Sequence, residues 1–488
     1  MKATISKHDW LTAKACKAMS WFQLRDQPSP PTEADHFRME QGTHVGVLAH
    51  ALFPDGILVQ ASGNDSAVAL TQELVVDEDV DTFFEAAFQF DQLATKADIL
   101  KREGDGWHVL EVKSSFANSS SVSEYTRDLA YTTMVIALCG LPVTSSSLVL
   151  LNREYRYGDD ASGLFEIVDK TSEVKEIVAE FLSIREELVS ALFEDKLPDH
   201  SLGSPCRSCA YFDEDCIGTG IEYTVLDIPN LHHTKLERLA ASNIVDLRHF
   251  PDGIPISDAQ DRARNCMLSN ETYTGEGLRE ELDGIIWPCY YLDFETVATV
   301  LPLYAGLGCH QQILTQYSIH SRSGLDDDLE HQEYLADASK DCQRELTESL
   351  IAALGEEGAI FVYSSFEKTR IKGLAKLYPD LAGALNAIID RLVDLLIIIK
   401  DHVYHPKFRG SYSIKKVLPA LVPDLSYEGM AIGDGNTAIT MFAKMASGEV
   451  ADTDQVRNDL LAYCKLDTLA MVRLHDALLD CPVLPATS

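Results

Sequence analysis

The sequence predicts an α/β protein of more than one domain, and three observations carry that expectation. Short apolar or alternating stretches, which suit strands, are interleaved with longer stretches whose apolar residues recur every three to four positions, which suit helices. The chain has 488 residues, 46% of them hydrophobic, more than one ordinary core holds, so two or three domains are expected. A Pro/Gly/Cys-rich stretch at 198–220 and a run of short helical patterns after it break the alternation, giving segments 1–219, 220–285 and 286–488.

In the first segment, residues 11–24 read as a helix with Cys16 inside it. Strands are expected at 96–100 and 107–113, joined by a turn on Glu103-Gly104-Asp105-Gly106. A helix at 125–138, a strand at 147–151 and a long amphipathic helix at 171–192 follow. The middle segment reads as a helical connector, with short helices at 234–242 and 257–268. After Trp287-Pro288 a second α/β unit begins, with strands at 289–295 and 359–363 and a closing helix at 454–479.

Charge and hydropathy narrow the function. With 41 basic and 76 acidic residues the net charge is −35, which excludes a generally basic protein that coats nucleic acid. A nuclease stays open, since it needs only a local basic track beside acidic metal ligands. The longest apolar run, around 392–399, contains Asp394 and is far shorter than the ~18–20 residues of a membrane span. The first ten residues hold no apolar stretch, so a cytoplasmic, membrane-free protein is expected.

Eleven cysteines in such a chain argue against a disulfide framework. Cys206, Cys209 and Cys216 form a C-x2-C-x6-C cluster, and soft thiolates this close suit zinc or an iron–sulfur centre equally on spacing alone. Cys16 is the candidate fourth ligand. Cys139, Cys266, Cys289, Cys309, Cys342, Cys464 and Cys481 are scattered and read as small hydrophobes.

Two acidic constellations suggest chemistry. Asp98 lies on one expected strand and Glu111-Val112-Lys113 on the next, where alternation puts Glu111 and Lys113 on one sheet face. Two carboxylates there suit a hard divalent ion, and a lysine can orient water or stabilise developing phosphate charge. With the cysteines, residues 1–219 resemble the PD-(D/E)XK nucleases of the RecB family that carry an iron–sulfur cluster. The resemblance implies a restriction-endonuclease-like fold and a 4Fe-4S cluster on Cys16, Cys206, Cys209 and Cys216, pinning the later strap to the first helix. It also implies that His44, in Gln41-Gly42-Thr43-His44-Val45-Gly46, binds metal beside Asp98 and Glu111, with Lys113 completing the catalytic motif. The family's helix glutamine is replaced, with Thr132 at its place in Leu129-Ala130-Tyr131-Thr132-Thr133-Met134.

In the last segment Asp293 and Glu295, two apart on a strand, share a face. Tyr463 and Asp467 share a helix face at i, i+4, and Glu367 follows the strand at 359–363. In this order they resemble the three motifs of the DnaQ-like (DEDD, RNase H-fold) exonucleases, with Glu367 where aspartate is usual and Tyr463-x3-Asp467 as the tyrosine version of the third motif. Asp394 is a further acid that reads as structural. With the context Gly410-Ser411-Tyr412-Ser413-Ile414-Lys415-Lys416, nearly the whole chain resembles an uncharacterised bacterial family that fuses the two modules.

The resemblance implies a nuclease that takes Mg²⁺ or Mn²⁺ and acts as a 3′–5′ exonuclease at Asp293, Glu295, Glu367, Tyr463 and Asp467, with Asp293, Glu295 and Asp467 as metal ligands. It implies a second nuclease site at Asp98, Glu111 and Lys113. The implied partners are DNA with a single-stranded 3′ end and a helicase or another DNA-processing protein, in repair, processing or defence. Two other readings use the same residues: one active site with the other domain as a binding platform, or a non-enzymatic metal-binding adaptor. Two basic stretches suit a single strand: 402–416, where Lys407, Arg409, Lys415 and Lys416 alternate with Tyr404, Phe408 and Tyr412, and Lys368, Arg370, Lys372 and Lys376 after Glu367.

Overall fold

Strand alternation sorts the side chains of the first unit into two cores. In the computed structural model, which describes residues 2–26 and 30–481, the chain divides into two units. One comprises 1–201, 208–211 and 299–311, the other 202–207, 212–298 and 312–488. The first unit runs through α1 (Lys7–Ala15), α2 (Lys17–Arg25), α3 (Glu33–Ala49), β1 (Ile57–Leu58), α4 (Asn64–Leu74), β2 (Thr82–Phe90), β3 (Leu93–Glu103), β4 (Gly106–Phe116), α5 (Val122–Leu138), β5 (Val143–Leu151), β6 (Phe165–Asp169) and α6 (Thr171–Phe193). Its strands form one sheet in sequence order, β1 to β6, with β4 and β5 parallel across the α5 crossover. Phe83, Leu100, Val109 and Leu148 pack with Trp10, Leu129 and Phe181 of α1, α5 and α6. Their neighbours Phe84, Ile99, Leu110 and Val149 point the other way, onto Ala49 of α3.

The helix expected at 11–24 is broken. Cys16 is extended at φ −157°, ending α1 and capping α2, where its Sγ accepts from the Met19 backbone N–H at 3.5 Å. A segment from late in the sequence completes this unit: Gln41 Oε1 accepts from Val300 N at 2.6 Å and His310 Nε2 meets the Ser114 carbonyl at 2.8 Å.

The second unit contains α7 (His233–Ala241), α8 (Asp258–Ser269), β7 (Tyr273–Thr274), α9 (Leu278–Asp283), β8 (Cys289–Val297), β9 (Ile313–Arg322), β10 (Glu330–Leu335), α10 (Gln343–Leu354), β11 (Ala359–Val362), α11 (Phe366–Leu377), α12 (Ala382–Asp390), β12 (Leu392–Asp394), α13 (Leu395–His402), β13 (Val403–Tyr404), α14 (Ile414–Leu421), α15 (Gly435–Ser447) and α16 (Thr453–Leu479). Its main sheet has the order β10-β9-β8-β11-β12, antiparallel through β8 and parallel from β8 to β12. Leu292 and Phe294 of β8 join Leu346, Leu350, Ile371 and Leu385 in a core under α10 to α12. The opposite face of β8 meets α16, where Tyr291 Oη and His475 Nδ1 lie 2.7 Å apart.

The stretch expected as a connector, 220–285, lies inside this unit. β7 pairs with β13, and Arg409 reaches Asp227 at 3.2 Å. Gly410, at φ +77°, passes so near that an added Cβ would sit 2.3 Å from the Asp227 carbonyl. Among the described residues, no helix is long and apolar enough to cross a membrane.

Candidate active sites

The second unit gathers carboxylates by simple geometry. Alternation on β8 sends Asp293 and Glu295 toward α16, away from the Leu292/Phe294 core. Polar contacts fix α16 over the sheet: Thr468 Oγ1 meets Ser318 Oγ at 2.9 Å and His320 Nδ1 at 2.7 Å, and Gln316 Nε2 donates to the Leu460 carbonyl at 3.0 Å. Asp467 then faces β8, and ligand oxygens of Asp293, Glu295 and Asp467 all lie within 4.8 Å of one another. Glu367, at the start of α11, is 3% exposed, and its Oε2 has no hydrogen-bond partner. Tyr463 is buried one helical turn before Asp467.

Crowding and burial raise the proton affinity of these acids. Burial, reinforced by Asp467 and Glu367, pushes Asp293 well above the ordinary carboxylate range. Burial with Asp467 raises Glu295 to about 8, and burial raises Glu367 to about 7 and Asp467 to about 6. The buried Cys464 thiol lies 3.6 Å from Asp293 Oδ2. Asp394 instead caps α13, accepting from Ser364 N at 3.1 Å and Leu396 N at 2.9 Å. Tyr427, which sequence reasoning did not single out, donates its phenol to Asp467 Oδ1 at 2.6 Å. It sits in an irregular stretch with no periodic signal.

The first unit holds a different arrangement. Ile99 pairs with Leu110, so one step along the ladder Asp98 stands opposite Glu111. Asp98 Oδ2 accepts from Val112 N at 2.7 Å. Glu111 is 1% exposed, and its Oε1 is shared by two ammoniums, Lys7 of α1 and Lys113 at 3.1 Å, while its Oε2 has no partner. Lys113 continues to Asp128 of α5 at 2.6 Å. Burial pushes Glu111 upward, but Lys7 and Lys113 outweigh it and hold the carboxyl below its ordinary value. Asp98, buried beside Glu111, rises to about 7.

Other expected residues lie elsewhere. Thr132 is fully buried against Thr95, with hydroxyls 3.0 Å apart, because its helix face packs on the sheet. Asp128, one turn earlier, is the α5 residue that reaches the lysine. His44 is exposed on α3, and among the described residues no third ligand atom joins Asp98 and Glu111 within 4.8 Å. The aromatic residues of 402–416 form no stacking surface: Tyr404 and Phe408 are fully buried and, with Tyr412, pack edge to face with ring centroids 5.5–5.9 Å apart. Lys407, Lys415, Lys416, Lys368, Lys372 and Lys376 remain exposed.

None of the eleven cysteines forms a disulfide, and Cys16, Cys206, Cys209 and Cys216 are half-buried. Within the first unit, Tyr211 stacks on Phe22 of α2 at 4.8 Å between ring centroids, and its hydroxyl meets Asp26 at 3.3 Å. The Cys209 strap is thereby docked on the helix that Cys16 caps.

The family described as "Domain of unknown function (DUF2779)" matches residues 290–413, a span that includes Asp293, Glu295 and Glu367 and stops before Tyr427, Tyr463 and Asp467. The chain is similar to "Uncharacterized protein UU173" of Ureaplasma parvum serovar 3, 27% identical over an alignment of 209 residues that covers 38% of this chain. The match spans only 30% of that relative's length.

Proposed function

We propose that the chain is a metal-dependent nuclease, with an RNase H-like second unit that removes nucleotides from a DNA 3′ end and a PD-(D/E)XK-like first unit. The observation that carries this reading is the carboxylate group Asp293, Glu295 and Asp467, with the unpartnered Glu367 oxygen buried beside it. Buried carboxylates pushed this far toward neutrality are a poor arrangement without a cation, and an all-oxygen donor set fits a hard divalent ion. Bound Mg²⁺ or Mn²⁺ would supply charge stabilisation and an acidified water for phosphodiester hydrolysis.

The chain's own residues supply the rest. Asp293 and Glu295 of the sheet and Asp467 of α16 would hold the ion. Tyr463 offers a hydroxyl on the face that Asp467 shares, suited to orienting water. Lys415 and Lys416 of α14 are exposed cations suited to DNA phosphates.

The test is a Mn²⁺- or Mg²⁺-dependent digestion of 5′-labelled single-stranded DNA by wild type and Asp293→Ala, with a parallel RNA. A shortening ladder lost in the variant supports the reading. An unchanged ladder moves the activity to the first unit, and no product on either substrate overturns it.

A second reading is favoured by Lys7: with two ammoniums on Glu111 Oε1, the first unit is a binding platform and only the second cleaves. Cleavage that survives Asp98→Ala but not Asp293→Ala supports it. A 4Fe-4S cluster on the four cysteines is what the resemblance to the RecB-family nucleases implies, since their spacing alone suits zinc equally. Anaerobically purified protein with a brown colour and visible charge-transfer absorbance supports iron–sulfur, and bound zinc without colour refutes it.

A further inference from the structure

We propose that Tyr427 is a positioning residue of the carboxylate site, carried in by the excursion between α14 and α15. This rests on the metal-site reading above. The excursion, 422–434, ends at Asp434, which caps α15. It is held down at three points. Lys415 Nζ donates to the Gly433 carbonyl at 3.1 Å, Arg473 of α16 donates to Asp424 Oδ2 at 2.7 Å, and Tyr427 donates to Asp467 Oδ1 at 2.6 Å. Two of these anchors are on α16, so the excursion lies along the helix that presents Asp467.

A carboxylate on a helix can turn about two side-chain bonds. A phenol fixed on one oxygen removes that freedom and leaves the other oxygen for an ion. Short hydrogen bonds to a charged acceptor are about twice as strong as neutral ones. The phenol is itself held, with the Tyr463 ring 6.3 Å away and Lys415 Nζ 5.9 Å from its centroid. The matched family region ends at residue 413, so this tyrosine lies outside it.

The test is equilibrium Mn²⁺ binding to the metal-stripped full chain, read as free Mn²⁺ by electron paramagnetic resonance. Every protein carries Asp98→Ala to remove the first site. Asp293→Ala defines binding at the second site, and Tyr427→Phe deletes only the hydroxyl. The expected result is Asp293-dependent binding that Tyr427→Phe weakens about 3- to 10-fold. The metal-free unfolding temperature stays unchanged, and kcat falls with KM for DNA constant. Unchanged affinity in Tyr427→Phe overturns the proposal. So does weaker binding that tracks a lower metal-free unfolding temperature, since Tyr427 is then only an anchor for the excursion. Binding that survives Asp293→Ala overturns the metal-site reading itself.

Discussion

Glu295 shows how a residue suited to a cation costs the protein that lacks one. Its folded-state value, near 8, lies above the ordinary value of 4.5, so the folded protein binds more protons than the unfolded chain between those limits. Stability therefore falls as pH rises through that window and is lowest, from this group, above it. Glu295→Gln removes the penalty. Differential scanning fluorimetry of metal-stripped protein is expected to show the variant about 2–4 °C above wild type at pH 8.5 and level with it at pH 4.5. At the same scale, Thr132→Gln tests the departure from the helix motif. Thr132 is enclosed against Thr95, so the longer side chain is expected to cost about 1–3 kcal/mol in urea unfolding without raising cleavage. The Asp293/Glu295 pair was legible because period two is a property of the strand alone. Thr132 was misplaced because which turn of a helix faces a neighbouring lysine depends on how α5 packs. Lys7 carried no signal: a lysine near a chain start looks like solvent-facing charge until α1 lays it over Glu111.

At the scale of elements, β8, β11, α5, α6 and α16 were visible from periodicity, while β9 was not. All ten of its residues are buried, and the face bearing Gln316, Ser318 and His320 is polar because it binds α16. A strand covered on both sides by unlike partners shows no apolar–polar alternation. The segment 220–285 looked like a connector for a related reason. Its elements are held by residues far along the chain, 129 and 131 positions away in the β7–β13 pair and 182 in the Arg409–Asp227 contact. Gly410 is the sensitive point of that union. Gly410→Ala forces a side chain into left-handed backbone and onto the Asp227 carbonyl, and is expected to cost about 1–3 kcal/mol in the unfolding of the second unit. Gly429→Ala, also at positive φ but with open space around its Cβ, is the control and is expected to cost less. Equal losses at the two positions would mean that the close approach to Asp227 contributes nothing.

At the scale of the whole molecule, a net charge of −35 and two buried acidic sites act together. Any salt relieves the general repulsion, whereas a divalent ion held by Asp293, Glu295 and Asp467 adds a specific term that depends on the ratio of its concentration to its dissociation constant. At a hundredfold excess over that constant the term is about 2.7 kcal/mol. Each unit has its own hydrophobic core, so the specific term belongs to the unit whose carboxylates hold the ion. Calorimetry in Mg²⁺ against NaCl of equal ionic strength is expected to show a Mg²⁺-specific upward shift. Asp293→Ala is expected to abolish that shift for the second unit's transition, whereas Asp98→Ala leaves it intact. In the first unit an ion must compete with Lys7 and Lys113 for Glu111, which already have it ionised, so its shift is expected to be smaller. Lys7→Ala removes one competitor and is expected to enlarge the Mg²⁺-specific shift of the first unit while lowering its metal-free transition. If Lys7→Ala lowers the transition and Mg²⁺ recovers none of the loss, Glu111 is held for structure alone and the first unit is a scaffold without an ion.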